Sequence, residues 1–93
     1  MLFAKGVVAF SQGKLEEAAQ HFEQVLGKDA SHVQARAYLG QVELARGRPQ
    51  AALGHLTKAF DAEPANPSLR LDLALALIKL EQFDRAEALL SAA

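Results

Sequence analysis

Cysteine and tryptophan are absent from the 93 residues, tyrosine occurs once and proline three times. Without cysteine the chain holds no disulfide, no thiolate zinc site and no cysteine nucleophile. The compartment stays open, because reducing and oxidising locations both accept a cysteine-free chain; cytoplasm is favoured and periplasm is the alternative. An excess of one charge is missing too. Ten Lys+Arg stand against eleven Asp+Glu, a formal net charge of -1, with the two signs interspersed. A phosphate backbone calls for a basic stripe, so nucleic acid is not an expected partner. No uncharged run approaches the roughly 18 residues of a membrane span, and direct membrane insertion is not expected. The opening MLFAKGVVAFSQGK has an apolar stretch but neither a basic leader nor a small-x-small cleavage site. It reads as structure rather than as a targeting peptide.

What the chain does have is alanine and a period. Apolar residues make up 51% and charged residues 23%, a globular balance too apolar for disorder. Alanine, the strongest helix former, lets helices approach closely, and no strand is expected. Shifted by 34 residues, the sequence meets itself. Gly6, Gly40 and Ala74 share a column, as do Gly13, Gly47 and Glu81. Ala18, Ala52 and Ala86 form a third column, Phe22, Leu56 and Leu90 a fourth, and Val25, Ala59 and Ala93 a fifth. Such a period denotes one helix–turn–helix unit written nearly three times, stacked so that function lies in the surface presented.

The punctuation predicts six helices. The first runs from Leu2 to Ser11 and the second from Leu15 to Gly27, with Gly13 free to take positive φ between them. Ser31 with Gln34 has the capping-box spacing and announces a third helix reaching Arg46, ended by Gly47. Pro49 suits the first turn of a fourth helix running to Ala62. Asn66 is a good N-cap for a fifth helix from Pro67 to Leu80, and a sixth runs from Phe83 to the end. Glycine inside a helix costs about 1 kcal/mol against alanine, so Gly6 and Gly40 imply a close crossing, with Ala18, Ala52 and Ala86 as its expected small partners.

Gly40, Gly47 and Ala52, followed by Leu56, Ala59 and Pro64, make the chain resemble the tetratricopeptide repeat (TPR) family. The motif returns as Gly6, Gly13, Ala18, Phe22 and Val25, and again as Ala74, Phe83, Ala86, Leu90 and Ala93. The resemblance implies an all-α fold, antiparallel helix–turn–helix repeats stacked as a right-handed α-α superhelix. It implies about 2.7 repeats in a single domain over 1–93: 1–32, 33–66 and a truncated 67–93. The family's early aromatic is Leu2, Arg36 and Arg70 here, and Lys5 replaces the leucine found as Leu39 and Leu73. Lys5 is therefore not expected to be fully buried. Arg36 and Arg70 either lay their stems over the core with solvated heads or pair with Glu43.

The same resemblance places a concave groove on the first helix of each repeat. Its wall is Phe3, Val7, Phe10 and Ser11, then Ala37, Tyr38, Gln41, Leu44 and Ala45, then Leu71, Asp72, Leu75, Ile78 and Lys79. This lining suits an apolar or amphipathic segment from a protein or peptide partner. Val7, Gln41 and Leu75 occupy the places where some relatives keep asparagines for a C-terminal carboxylate, which argues against acidic chaperone tails. His21 and His55, one period apart, are too far separated to share one zinc ion, and the acids Glu16, Glu17 and Asp84 complement helix dipoles. No phosphate cradle, nucleophile elbow or metal-spaced pair is present, so neither catalysis nor a cofactor is expected.

The leading expectation is thus a non-catalytic protein-interaction scaffold. The alternative is a self-association or spacer module of a larger bacterial protein, such as a thioredoxin-like chaperone tail or a secretion-system component; the alanine and arginine usage is of a bacterial kind. Leu89 and Leu90 fall in an uncapped last helix, so an excised fragment, or homo-oligomerisation through uncapped terminal helices, is the further expectation.

Overall fold

Three tight turns fold successive helices back on one another, and one backbone solution serves all three. The computed structural model describes residues 1–92. Its helices are α1 (Leu2–Ser11), α2 (Leu15–Lys28), α3 (Val33–Ala45), α4 (Pro49–Ala62), α5 (Pro67–Lys79) and α6 (Phe83–Ser91), with no strand among the described residues. At each turn a residue takes positive φ: Gly13 at 76°, Gly47 at 76° and Glu81 at 60°. The following N–H then reaches the carbonyl five residues back: Lys14 to Ala9 at 2.9 Å, Arg48 to Glu43 at 2.8 Å and Gln82 to Leu77 at 2.8 Å. This Schellman closure satisfies carbonyls that a helix end leaves open.

The joints between hairpins also recur. Asn66 caps α5, its Oδ1 accepting from Ser68 N at 2.9 Å and Leu69 N at 3.4 Å. One period earlier the cap is His32, whose Nδ1 accepts from Ala35 N at 3.0 Å. Ser31 does not cap, contrary to the capping-box spacing. Its N–H and hydroxyl both donate to Asp29 Oδ1, at 3.1 and 2.7 Å, and α3 begins after His32. Those two bonds hold the exposed Asp29 carboxyl below its ordinary range.

Neither Arg36 nor Arg70 pairs with Glu43. Arg36 Nη2 donates to Ala30 O at 3.0 Å and Arg70 Nη2 to Pro64 O at 3.4 Å, the same six-residue clasp at both joints. Glu43, buried, pairs instead with Arg46 at 3.0 Å.

Each helix packs on its sequence neighbours, and in addition α1 approaches α3 and α3 approaches α5, whereas the backbones of α2, α4 and α6 stay farther apart. The odd helices are therefore the layer in which successive hairpins approach one another most closely. The long axis of the stack is 38 Å.

The core lies between the layers in two clusters. One gathers Ala9, Ala18, Ala19, Phe22, Val25, Ala35, Leu39 and Val42; the other gathers Ala52, Leu56, Leu73, Ala74, Ala76, Leu77 and Ala86. The alanine column is buried throughout, yet it is not what meets the glycines most closely. A Cβ on Gly6 would stand 2.7–3.0 Å from the Phe22 ring, and one on Gly40 would stand 2.5 Å from Leu56 Cγ. Glycine here makes room for a large side chain. In the third hairpin Ala74 replaces glycine, and Leu90 is 43% exposed. Ala93, the last member of the fifth column, lies outside the described residues.

Candidate functional site

The odd-helix face divides into an aromatic floor and an aliphatic ridge. Phe3, Val7, Phe10 and Tyr38 are half-buried and pack against the first core cluster. Tyr38 stacks on Phe22 with ring centroids 5.2 Å apart, and meets Phe3 at 5.7 Å and Phe10 at 6.1 Å edge to face. Phe3 also meets His32 at 5.0 Å. Offset and edge contacts of this kind add to burial, so Tyr38 is as much a lid on Phe22 as a groove residue. Leu44 is half-buried against the second cluster, and Ala37 is half-buried; Ser11 and Ala45 are exposed. Ser11 Oγ donates back to Val7 O at 2.9 Å. Lys5 is exposed, as expected.

On α5 the picture changes. Leu71, Leu75 and Ile78 are 52%, 41% and 38% exposed, and their spacing sets them along one face of the helix. Asp72 is half-buried and Lys79 exposed. Gln41 of α3 donates Nε2–H to Asp72 Oδ2 at 2.9 Å, a cross-link between two helices that sequence spacing alone did not reveal. A hollow lies elsewhere: a shallow cavity of about 510 Å³ beside α1 and the end of α2, lined by Met1, Leu2, Phe3, Lys5, Val25, Lys28 and Asp29.

The histidines are dispersed. His32 is the cap already described, and His21 is half-buried with an unbonded Nδ1. His55, also half-buried, has its pKa pushed below the ordinary value, first by burial and then by Arg36, against the opposing pull of Glu43 and Glu23. Among the described residues no three histidine or acidic side chains gather as a metal-holding group. What the odd-helix face offers is contact area, with one carboxylate and one ammonium set into it.

Family models described as tetratricopeptide repeat match residues 3–67 and 43–93. The peroxisomal targeting signal receptor of Candida albicans (strain SC5314 / ATCC MYA-2876) is 34% identical over 73 residues, 78% of this chain. The chain spans 12% of that receptor's length. Among solved structures, the second TPR of Spaghetti (RPAP3), bound to the HSP90 peptide SRMEEVD, matches with a TM-score of 0.92 at 17% identity. That match covers 97% of this chain and 83% of the other. At such identity the likeness is one of fold, and the fold is an all-α solenoid of stacked helical hairpins.

Proposed function

The chain belongs to the tetratricopeptide repeat family, and from that premise we propose that it is a non-catalytic scaffold holding an apolar or amphipathic segment of a protein partner against its odd helices. The carrying observation is the ridge of Leu71, Leu75 and Ile78, three large aliphatic side chains left in water along the odd-helix layer of the stack. Exposed apolar surface grouped on one face marks an interaction site more often than scattered residues do. The floor of Phe3, Phe10 and Tyr38 with Val7 extends the wall, with Gln41, Leu44, Asp72 and Lys79 completing it. The same reading divides the chain into repeats at 1–32, 33–66 and 67–93.

The Spaghetti repeat carries a peptide, which supports a peptide as the class of partner. That peptide is acidic, whereas Val7, Gln41 and Leu75 stand here where some relatives keep asparagines for a C-terminal carboxylate. An apolar segment suits this wall better than an acidic tail.

Leu44 supports the core, so the clean test uses the exposed ridge. Leu75→Glu with Ile78→Glu should keep helical circular dichroism intact while weakening capture of a leucine-rich amphipathic peptide at least ~10-fold. Unchanged affinity in a folded variant removes the groove from consideration. A second reading, self-association, is favoured by Phe83 and Leu90 of α6, which are 57% and 43% exposed.

A further inference from the structure

The groove reading leaves the partner's charges unspecified, and α5 supplies them. Asp72 and Lys79 are seven residues apart, two helical turns and about 10.5 Å along one side of the helix. They flank the stretch that presents Leu75 and Ile78. Asp72 is held in place from across the layer, its Oδ2 accepting from Gln41 Nε2 at 2.9 Å. Among the described residues its Oδ1 accepts no hydrogen bond, and neither Asp72 nor Lys79 enters an ion pair; the pair formed is Arg46 with Glu43. The groove positions on α1 and α3, from Phe3 to Leu44, carry no charge. A fixed carboxylate and a free ammonium thus stand alone in an otherwise uncharged wall. Like charges brought against them would be repelled in a partly desolvated setting, and opposite charges would be selected.

We propose that the groove's partner is an amphipathic helix carrying a lysine or arginine against Asp72 and an acidic residue two turns away against Lys79. The inference rests on the groove being the binding surface. Pinning by Gln41 gives Asp72 less freedom to lose when a cation arrives, so that contact should be the stronger of the two.

The probe is a fluorescein-labelled leucine/alanine helix of about sixteen residues, long enough to hold its shape, with a lysine and a glutamate seven apart. Fluorescence polarisation follows it against the full chain and Asp72→Asn, and a second peptide carries norleucine for the lysine. The lysine peptide should bind Asp72→Asn about 3–10-fold more weakly than the unaltered chain, an effect that shrinks in high salt, while the norleucine peptide distinguishes the two poorly. Lys79→Met against a glutamate-to-glutamine peptide should show the same coupling on a smaller scale. If both peptides bind both proteins alike, the charge pairing is overturned and the apolar groove stands. If no peptide binds at all, the groove reading falls with it. Asp72→Asn keeps an acceptor for Gln41, and circular dichroism of the variant separates lost binding from lost folding.

Discussion

Hairpins α1–α2 and α3–α4 bury the large side chain that faces their mid-helix glycine, while α5–α6 replaces the glycine by Ala74 and leaves Leu90 at 43% exposure. Phe22 is wholly buried because Tyr38, from the following hairpin, stacks on it. Leu56 is wholly buried within the cluster that α5 completes through Leu73, Ala74 and Leu77. The fourth column is thus apolar in every hairpin, but burial comes from the next helix along. A residue's value to the fold is set by its neighbour in the stack as much as by its own hairpin.

Removing the column-four side chain tests this most severely. Phe22→Ala should cost about 3–5 kcal/mol, a large part of the stability of so small a domain, whereas Leu90→Ala should stay within about 0.5 kcal/mol. Urea unfolding midpoints compare them directly, and similar losses would break the contrast. Gly40→Val comes next. Its methyls meet Leu56, and overpacking of this kind costs about 1–3 kcal/mol. The same measurement on Ala74→Val should show a smaller loss, since Leu90, the counterpart of Leu56 in the third hairpin, is 43% exposed. The mildest change goes the other way. Glu81 holds φ at 60°, where glycine is at ease and other residues lose roughly 1–2 kcal/mol, so Glu81→Gly should raise thermal stability by up to about 1 kcal/mol. A fall in melting temperature would show that the third turn is not strained by its missing glycine.

Much of this was legible beforehand. Turn and cap residues placed all six helices, with ends among the described residues shifted by at most a residue or two. They did so because turns, caps and close approaches each demand particular residue types. The misses share a cause. Ser31 with Gln34 has the capping-box spacing, but Asp29 two residues away captures its donors, and His32 serves instead. The arginine clasps end on backbone carbonyls, which every residue possesses, so composition carries no sign of them. The alanines opposite Gly6 and Gly40 were expected as the close contact, yet a glycine hollow accepts a large neighbour as readily as a small one. Among the groove residues, burial divided what spacing had grouped. Tyr38 packs among rings from α1 and α2, and the α5 ridge stays in water.

The joints carry one more consequence. Each arginine clasp and each Schellman closure spans six residues or fewer, so no joint depends on a distant one. Duplicating or deleting a whole 34-residue module would leave the remaining connections as they are. The length of such a protein can drift by gene-level copying while the geometry of each joint is inherited unchanged.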